Sequence, residues 1–138
     1  MKIVTAGNAV DTDSARRELP KASGLVLACK GPEIAGIGTI KRARPKYART
    51  IQERSGISFE PDLLELGYVA VAEAHKGQHL SRRIVEKLLA GCDGDLFATT
   101  GSDRMKRTLT HANFVRSGHE WKGKRAMLSL WVLRRKPS

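Results

Sequence analysis

Cysteine is nearly absent from this chain of 138 residues, in which Cys29 and Cys92 stand alone with no C-x-x-C pair and no His/Cys cluster at ligand spacing. That pattern argues against a disulfide framework and against a structural zinc site, so no metal is expected, and it suits a reducing cytoplasm. Long apolar runs are missing as well. The opening stretch MKIVTAGNAVDTD carries one lysine and turns polar within ten residues, so neither a signal peptide nor a membrane span is expected there, and no membrane partner. Repeats, low-complexity tracts and linkers are lacking, which points to one domain over residues 1–138, long enough to bury roughly two-thirds of its unfolded surface.

Acidic residues are the other scarce class, 14 against 25 Lys and Arg, for a formal charge of +11. The imbalance is uneven. Residues 41–54, KRARPKYARTIQER, hold six basic residues against one acid, and residues 101–138 hold ten against two, whereas residues 55–100 are mildly acidic with four against seven. A field of this kind either solvates a basic face or attracts a polyanion or an acidic substrate.

Turn signals and periodicity set out the elements. A short helix is expected over about Thr12–Leu19, stopped by Pro20. GLVLACKGPEIAGIGTIKRA reads as a hairpin with arms Leu25–Lys30 and Ile34–Lys41 joined at Gly31-Pro32. Pro45 blocks its extension, and KYARTIQERSG reads as a short basic helix ending at Gly56. LLELGYVAVA, Leu63 to Ala72, has the composition of a strand buried on both faces. Leu80, Ile84, Val85, Leu88 and Leu89 then recur at helical spacing, with Gly91 expected as a left-handed stop. Asp95–Thr100 is a further short strand. Ser102 can cap a helix with Met105, Leu109 and Ala112 on one stripe, and Asn113 can end it in the left-handed region. The tail reads as two antiparallel strands around Gly123-Lys124, with Trp121 and Trp131 on a sheet face or in the core. The element order is β(β)–α–β–β–(α)–β–α–β–α–β–β, a mixed α/β domain.

Chemistry concentrates where the central strand meets its helix, in AHKGQHLSRRIVEKLLAG, Ala74 to Gly91. A helix start presents unbonded N–H groups and the positive end of the helix dipole, and an anion complements both. Gly77 removes a side chain where a ligand could approach, and Lys76 and His79 add donors beside the N–H groups of Gln78, Leu80 and Ser81. Neither G-x-x-x-x-G-K-[ST] nor G-x-G-x-x-G is present, which disfavours P-loop nucleotide and Rossmann dinucleotide binding.

VAEAHKGQHLSRRIVEKLL instead resembles the acetyl-CoA signature of the GNAT N-acetyltransferases, a strand ending in Val followed by [RQ]-x-x-G-x-[GA] and a helix. Lys76-Gly77-Gln78-His79-Leu80-Ser81 has the spacing, with Lys, His and Ser at three of the defining positions. The segment Ser102 to Phe114 is similar to the helix after the family's fifth strand, with Asn113-Phe114 in place of Gly-Phe, and the hairpin is similar to its second and third strands. The resemblance covers most of the chain apart from about residues 43–62. It implies a GNAT-like α/β fold with a mixed, mostly antiparallel central sheet flanked by helices, and acetyl-CoA as co-substrate without a metal.

The resemblance also implies roles. Backbone groups of Val69, Ala70 and Val71 would pair with the pantetheine arm, Lys76 to Ser81 would cradle the pyrophosphate, and Ser102 stands where an Asn often contacts the cofactor. Glu65, the one carboxylate in its strand and six residues before Val71, is similar in position to a base glutamate of some members, and burial would suit it to that role. Alternation puts Glu65, Gly67, Val69 and Val71 on one strand face. Leu109 occupies the place of the usual acid Tyr and cannot donate a proton; Tyr68, Tyr47 and water stay open as substitutes. His75, His111 and His119 have no triad partners and read as surface or cap residues. The expected activity is acetylation of a primary amine on a small molecule or peptide, an acidic one if the basic block lines the acceptor site. Alternatives are an RNA-borne amine such as an aminoacyl-tRNA, or a non-catalytic acyl-CoA or nucleic-acid binding module. The strand-rich tail could pair two copies into a homodimer.

Overall fold

The computed structural model describes residues 2–5, 22–30, 32–60, 62–73, 76 and 79–135. In chain order the elements are β1 (Lys2–Thr5), β2 (Ala22–Lys30), β3 (Glu33–Arg42), α1 (Pro45–Ser55), β4 (Leu64–Val71), α2 (Leu80–Ala90), β5 (Leu96–Thr100), α3 (Asp103–His111), β6 (Val115–Lys122) and β7 (Met127–Leu133). From β2 onward this is the order expected. The helix expected at Thr12–Leu19 lies outside the described residues. Two compact units result, one of residues 1–41 and 66–93, the other of 42–65 and 94–138.

In the first unit the strand order is β1-β2-β3-β4. The β2–β3 hairpin is antiparallel from Lys30↔Glu33 to Ala22↔Lys41, longer at its open end than the arms expected, and β1 runs antiparallel along β2. The apolar stripe of α2 is buried at Leu80, Ile84, Val85 and Leu88, and α2 packs on β2. Gly36 on β3 permits this closeness: a Cβ there would lie 2.8 Å from Ile84 Cδ1 and 3.1 Å from the Ala70 carbonyl oxygen. The left-handed stop expected at Gly91 is not what forms. Gly91 has φ −94°, and the helix closes by tightening, with the N–H groups of Gly91 and Cys92 bonded three residues back to Leu88 and Leu89.

In the second unit the order is β4-β5-β7-β6, β5 antiparallel to β7 and β7 to β6, while β4 runs parallel to β5 through Leu64↔Leu96 and Glu65↔Phe97. Pro45 begins α1, where its missing N–H costs no hydrogen bond, and Gly56 ends it at φ 78° with its N–H on the Gln52 carbonyl. Ala48 and Ile51 from α1 join Phe59, Leu63, Phe97, Trp121, Leu130 and Val132 in one core, where the Phe59 and Phe97 rings stack at 4.7 Å. Trp131 is buried too and donates from Nε1 to Ser129 Oγ. Among the β4 residues whose burial is described, Glu65 and Leu66 are buried while Leu64, Gly67, Val69, Ala70 and Val71 are only half-buried, so the strand buried on both faces is realised only in part.

Helix α3 follows its expected signals at both ends. Ser102 Oγ accepts the Met105 N–H at 3.2 Å, and Asn113 turns to φ 71°. The N–H of Phe114 then reaches the Leu109 carbonyl and that of Asn113 the Thr110 carbonyl, the paired bonds of a Schellman end, with Leu109 and Phe114 both buried beneath it.

Candidate active site

The expected cofactor residues belong to the first unit, apart from Ser102. Strand β4 ends at Val71, and the Ala72 N–H bonds the Ala35 carbonyl at 2.7 Å. On the β4 face that carries Gly67, the stem of Lys41 lies across the glycine, and a Cβ there would meet its Cε at 2.5 Å. Gly77 and Gln78 lie outside the described residues. Lys76 Nζ pairs with Glu73 Oε2 at 2.8 Å on the surface, so its charge is already partly met. His79 is the N-cap of α2 and sits in the left-handed region at φ 53°, ψ 28°; its side chain makes no capping bond, and the first turn of α2 has no acid. The position where the motif has a glycine is therefore one whose backbone favours glycine, and a histidine there carries strain. Leu80 is buried in the core, which leaves only its backbone for a ligand, and Ser81 is half-buried.

The second unit holds Glu65, the residue expected as base, and Tyr47. Glu65 is 5% exposed. Tyr47, three residues into α1, places its hydroxyl 2.9 Å from Thr99 Oγ1 on β5, and the negative charge of Glu65 acts on the phenol. Burial pushes the Tyr47 phenol above its ordinary value of 10.0; the Thr99 bond pulls the other way, and the charge of Glu65 pushes up again. The result is a buried carboxylate acting on a tyrosine that stays protonated at neutral pH.

Sequence reasoning left Tyr47 unranked beside Tyr68 and water. Its hydroxyl reaches β5 only through the tertiary placement of α1, and no local spacing signals it. Leu109 is fully buried, a core residue where the resemblance would have an acid. Ser102 caps α3 with an oxygen lone pair, while its own N–H donates to Thr100 Oγ1 at 3.0 Å; the hydroxyl proton is not used in the cap. His111 and His119 are exposed, as expected of surface groups, and His75 lies outside the described residues. Among the described residues no group of three or more His, Cys, Asp or Glu is placed to hold a metal ion, and no helix is long and apolar enough to cross a membrane.

No family model matches the chain, and no curated protein matches it. Solved structures do. The chain is similar to yncA from Salmonella typhimurium, solved with its cofactor acetyl-CoA, at a TM-score of 0.67 and 17% identity over 94% of this chain and 76% of that one. It is similar to a GNAT family acetyltransferase from Elizabethkingia anophelis with acetyl-CoA bound, at a TM-score of 0.60 and 12% identity over 96% and 97% of the two chains. An acetyltransferase from Thermus thermophilus matches at a TM-score of 0.52 and 22% identity over 87% and 72%. The fold is a mixed α/β sheet flanked by helices. It is the GNAT fold.

Proposed function

We propose that this chain is an acetyl-CoA-dependent N-acetyltransferase acting on a primary amine, with Glu65 as the base. The observation that carries the reading is a carboxylate buried on β4, in a fold that relatives use with acetyl-CoA. The residues fit the co-substrate: α2 begins at a left-handed cap without a capping side chain or an acid in its first turn, which suits an anion at its N–H groups. Lys76 to Ser81 would hold the pyrophosphate, backbone groups of Val69, Ala70 and Val71 the pantetheine arm, and Ser102 a further hydrogen bond. Acetyl-CoA supplies the activated thioester. Glu65 takes the proton that leaves the acceptor ammonium, and a thiol with a pKa near 8.5 can leave at neutral pH without a dedicated acid, so Leu109 does not forbid turnover.

The acceptor reading rests on charge. Arg44, Lys46, Arg49 and Arg54 of the α1 segment are exposed, and the first turn of α1 has no acid, which favours an amine bearing a carboxylate or phosphate. Thiol release on incubation with acetyl-CoA and a panel of acidic, neutral and peptide amines tests both points: acidic amines are expected to turn over best, and release with none of them leaves only a silent acyl-CoA binder. An aminoacyl-tRNA acceptor would show instead as RNA binding that falls steeply with salt.

His79→Gly is expected to raise stability by under about 1 kcal/mol, because a strained left-handed residue is replaced by one that enters the region freely. Acetyl-CoA should bind the variant at least as tightly. Thermal denaturation and calorimetric titration check the two expectations, and a loss of binding beyond about tenfold, 1.4 kcal/mol, would make the imidazole a pyrophosphate ligand.

A further inference from the structure

In the first unit, alternation separates the two faces of β3. A Cβ on Gly36 would meet Ile84 and Leu80 of α2, so Gly36, Gly38 and Ile40 lie towards α2, while Ile37, Thr39 and Lys41 lie on the other face. There the Lys41 side chain crosses β4. A Cβ on Gly67 would meet its Cε at 2.5 Å and its Cδ and Cγ at 3.0 Å, three consecutive methylenes laid along one glycine. Glycine inside a strand weakens it and marks a close approach, and here the stem of Lys41 makes that approach. Lys41 is half-buried and has no acid partner among the described residues. Two residues before it on the same face, Thr39 is 8% exposed, and its hydroxyl has no hydrogen-bond partner among the described residues. The entropy lost in ordering a lysine stem is therefore lost on folding rather than on binding, which leaves a preorganised cation without a counter-charge. We infer that Lys41 determines acceptor specificity: its ammonium, with the Thr39 hydroxyl on the same face, binds a carboxylate or phosphate carried by the amine. This rests on the N-acetyltransferase reading and deepens it. The anion is not the co-substrate's pyrophosphate. Gly67 stands four residues before the end of β4 at Val71, about 13 Å of strand, and on the face away from α2, whose first turn would hold that group.

Lys41→Met keeps most of the stem and removes the charge. The acidic acceptors are β-alanine and phosphoethanolamine; β-alaninamide and ethanolamine are their neutral counterparts. The variant is expected to raise KM roughly tenfold for the acidic pair, the loss of one charge-assisted hydrogen bond. Values of kcat, KM for the neutral pair and acetyl-CoA affinity by calorimetry should all stay within about twofold. Thr39→Val should act in the same direction, by about threefold. Gly67→Ala removes no charge, yet its methyl would displace the Lys41 stem, so it should reproduce the Lys41→Met pattern. Combining the two should add little to either, since both act through one side chain. Equal losses on acidic and neutral amines, or no loss on either, overturn the inference. So does a loss confined to acetyl-CoA, which gives the anion to the co-substrate. If no amine turns over, the N-acetyltransferase reading fails by itself, and equilibrium titration with phosphoethanolamine, followed by NMR shifts, decides the site. Weaker binding to Lys41→Met than to the parent then upholds the anion site, and equal binding removes it.

Discussion

Gly118→Ala is expected to cost about 2–5 kcal/mol, the largest stability loss of any small substitution in the second unit. Gly118 lies in β6 at φ 74°, which an alanine adopts only at about 1–2 kcal/mol. Space is also lacking. A Cβ would run into the Ser55 carbonyl oxygen and come within 2.6 Å of Ile57 Cγ1. The first obstacle is backbone at the end of α1 and cannot swing aside, so the strand must move, at the roughly 1–3 kcal/mol typical of overpacking. Thermal denaturation should show a fall of roughly 10 °C for a chain of this size. Gly94→Ala is the control, because its Cβ would meet nothing within 4 Å, and it should leave the midpoint within about 2 °C. Equal effects at the two glycines would remove the special role of Gly118. Because α1 carries Tyr47, a displaced α1 should also disturb its bond to Thr99.

The elements that the sequence made legible are those whose ends are written in local chemistry. Pro45 and Gly56 bracket α1, Ser102 and Asn113 bracket α3, and each does so through a backbone property that no distant contact alters. The stripe Leu80, Ile84, Val85 and Leu88 marks α2 as firmly. Gly91 shows the limit of such signals: glycine permits a left-handed stop, but the chain only needs one where the last carbonyls lack another way to bond, and here two three-residue bonds suffice. Strand lengths are set by partners. The hairpin extends to Ala22 and Arg42 because each arm is long enough to keep pairing with the other, and β7 lies between β5 and β6 through long-range register that neighbouring residues do not encode.

The candidate site divides along the same line. Glu65 stood out as the lone carboxylate of an apolar strand, and its burial follows from that pattern. His79 stood out as a departure from a motif, and its left-handed backbone gives the motif's glycine a physical reason. Tyr47 and Thr99 had no such mark. Each looks ordinary in its own element, and only packing brings α1 and β5 to a common point. A hydrogen bond between side chains far apart in sequence is the class of feature that spacing rules do not reach.

Glu65→Gln is expected to lower kcat/KM by about 10²–10⁴ with acetyl-CoA binding unchanged. The substitution keeps the shape of the side chain, so the packing around it is preserved while the proton acceptor is lost. The loss corresponds to about 3–5 kcal/mol of transition-state stabilisation. Its pH dependence is the sharper sign. With Glu65 present, activity should rise as the carboxyl ionises and level off above that point; with Gln, only the gradual increase in free amine should remain, and the deficit should shrink as the pH approaches the acceptor's own pKa. Amines of low pKa, already neutral at pH 7, should lose least. A series of acceptors graded by pKa therefore separates a base from a carboxylate that only shapes the site: a constant deficit across the series would assign Glu65 to the fold, and a deficit that grows with amine pKa assigns it to the proton.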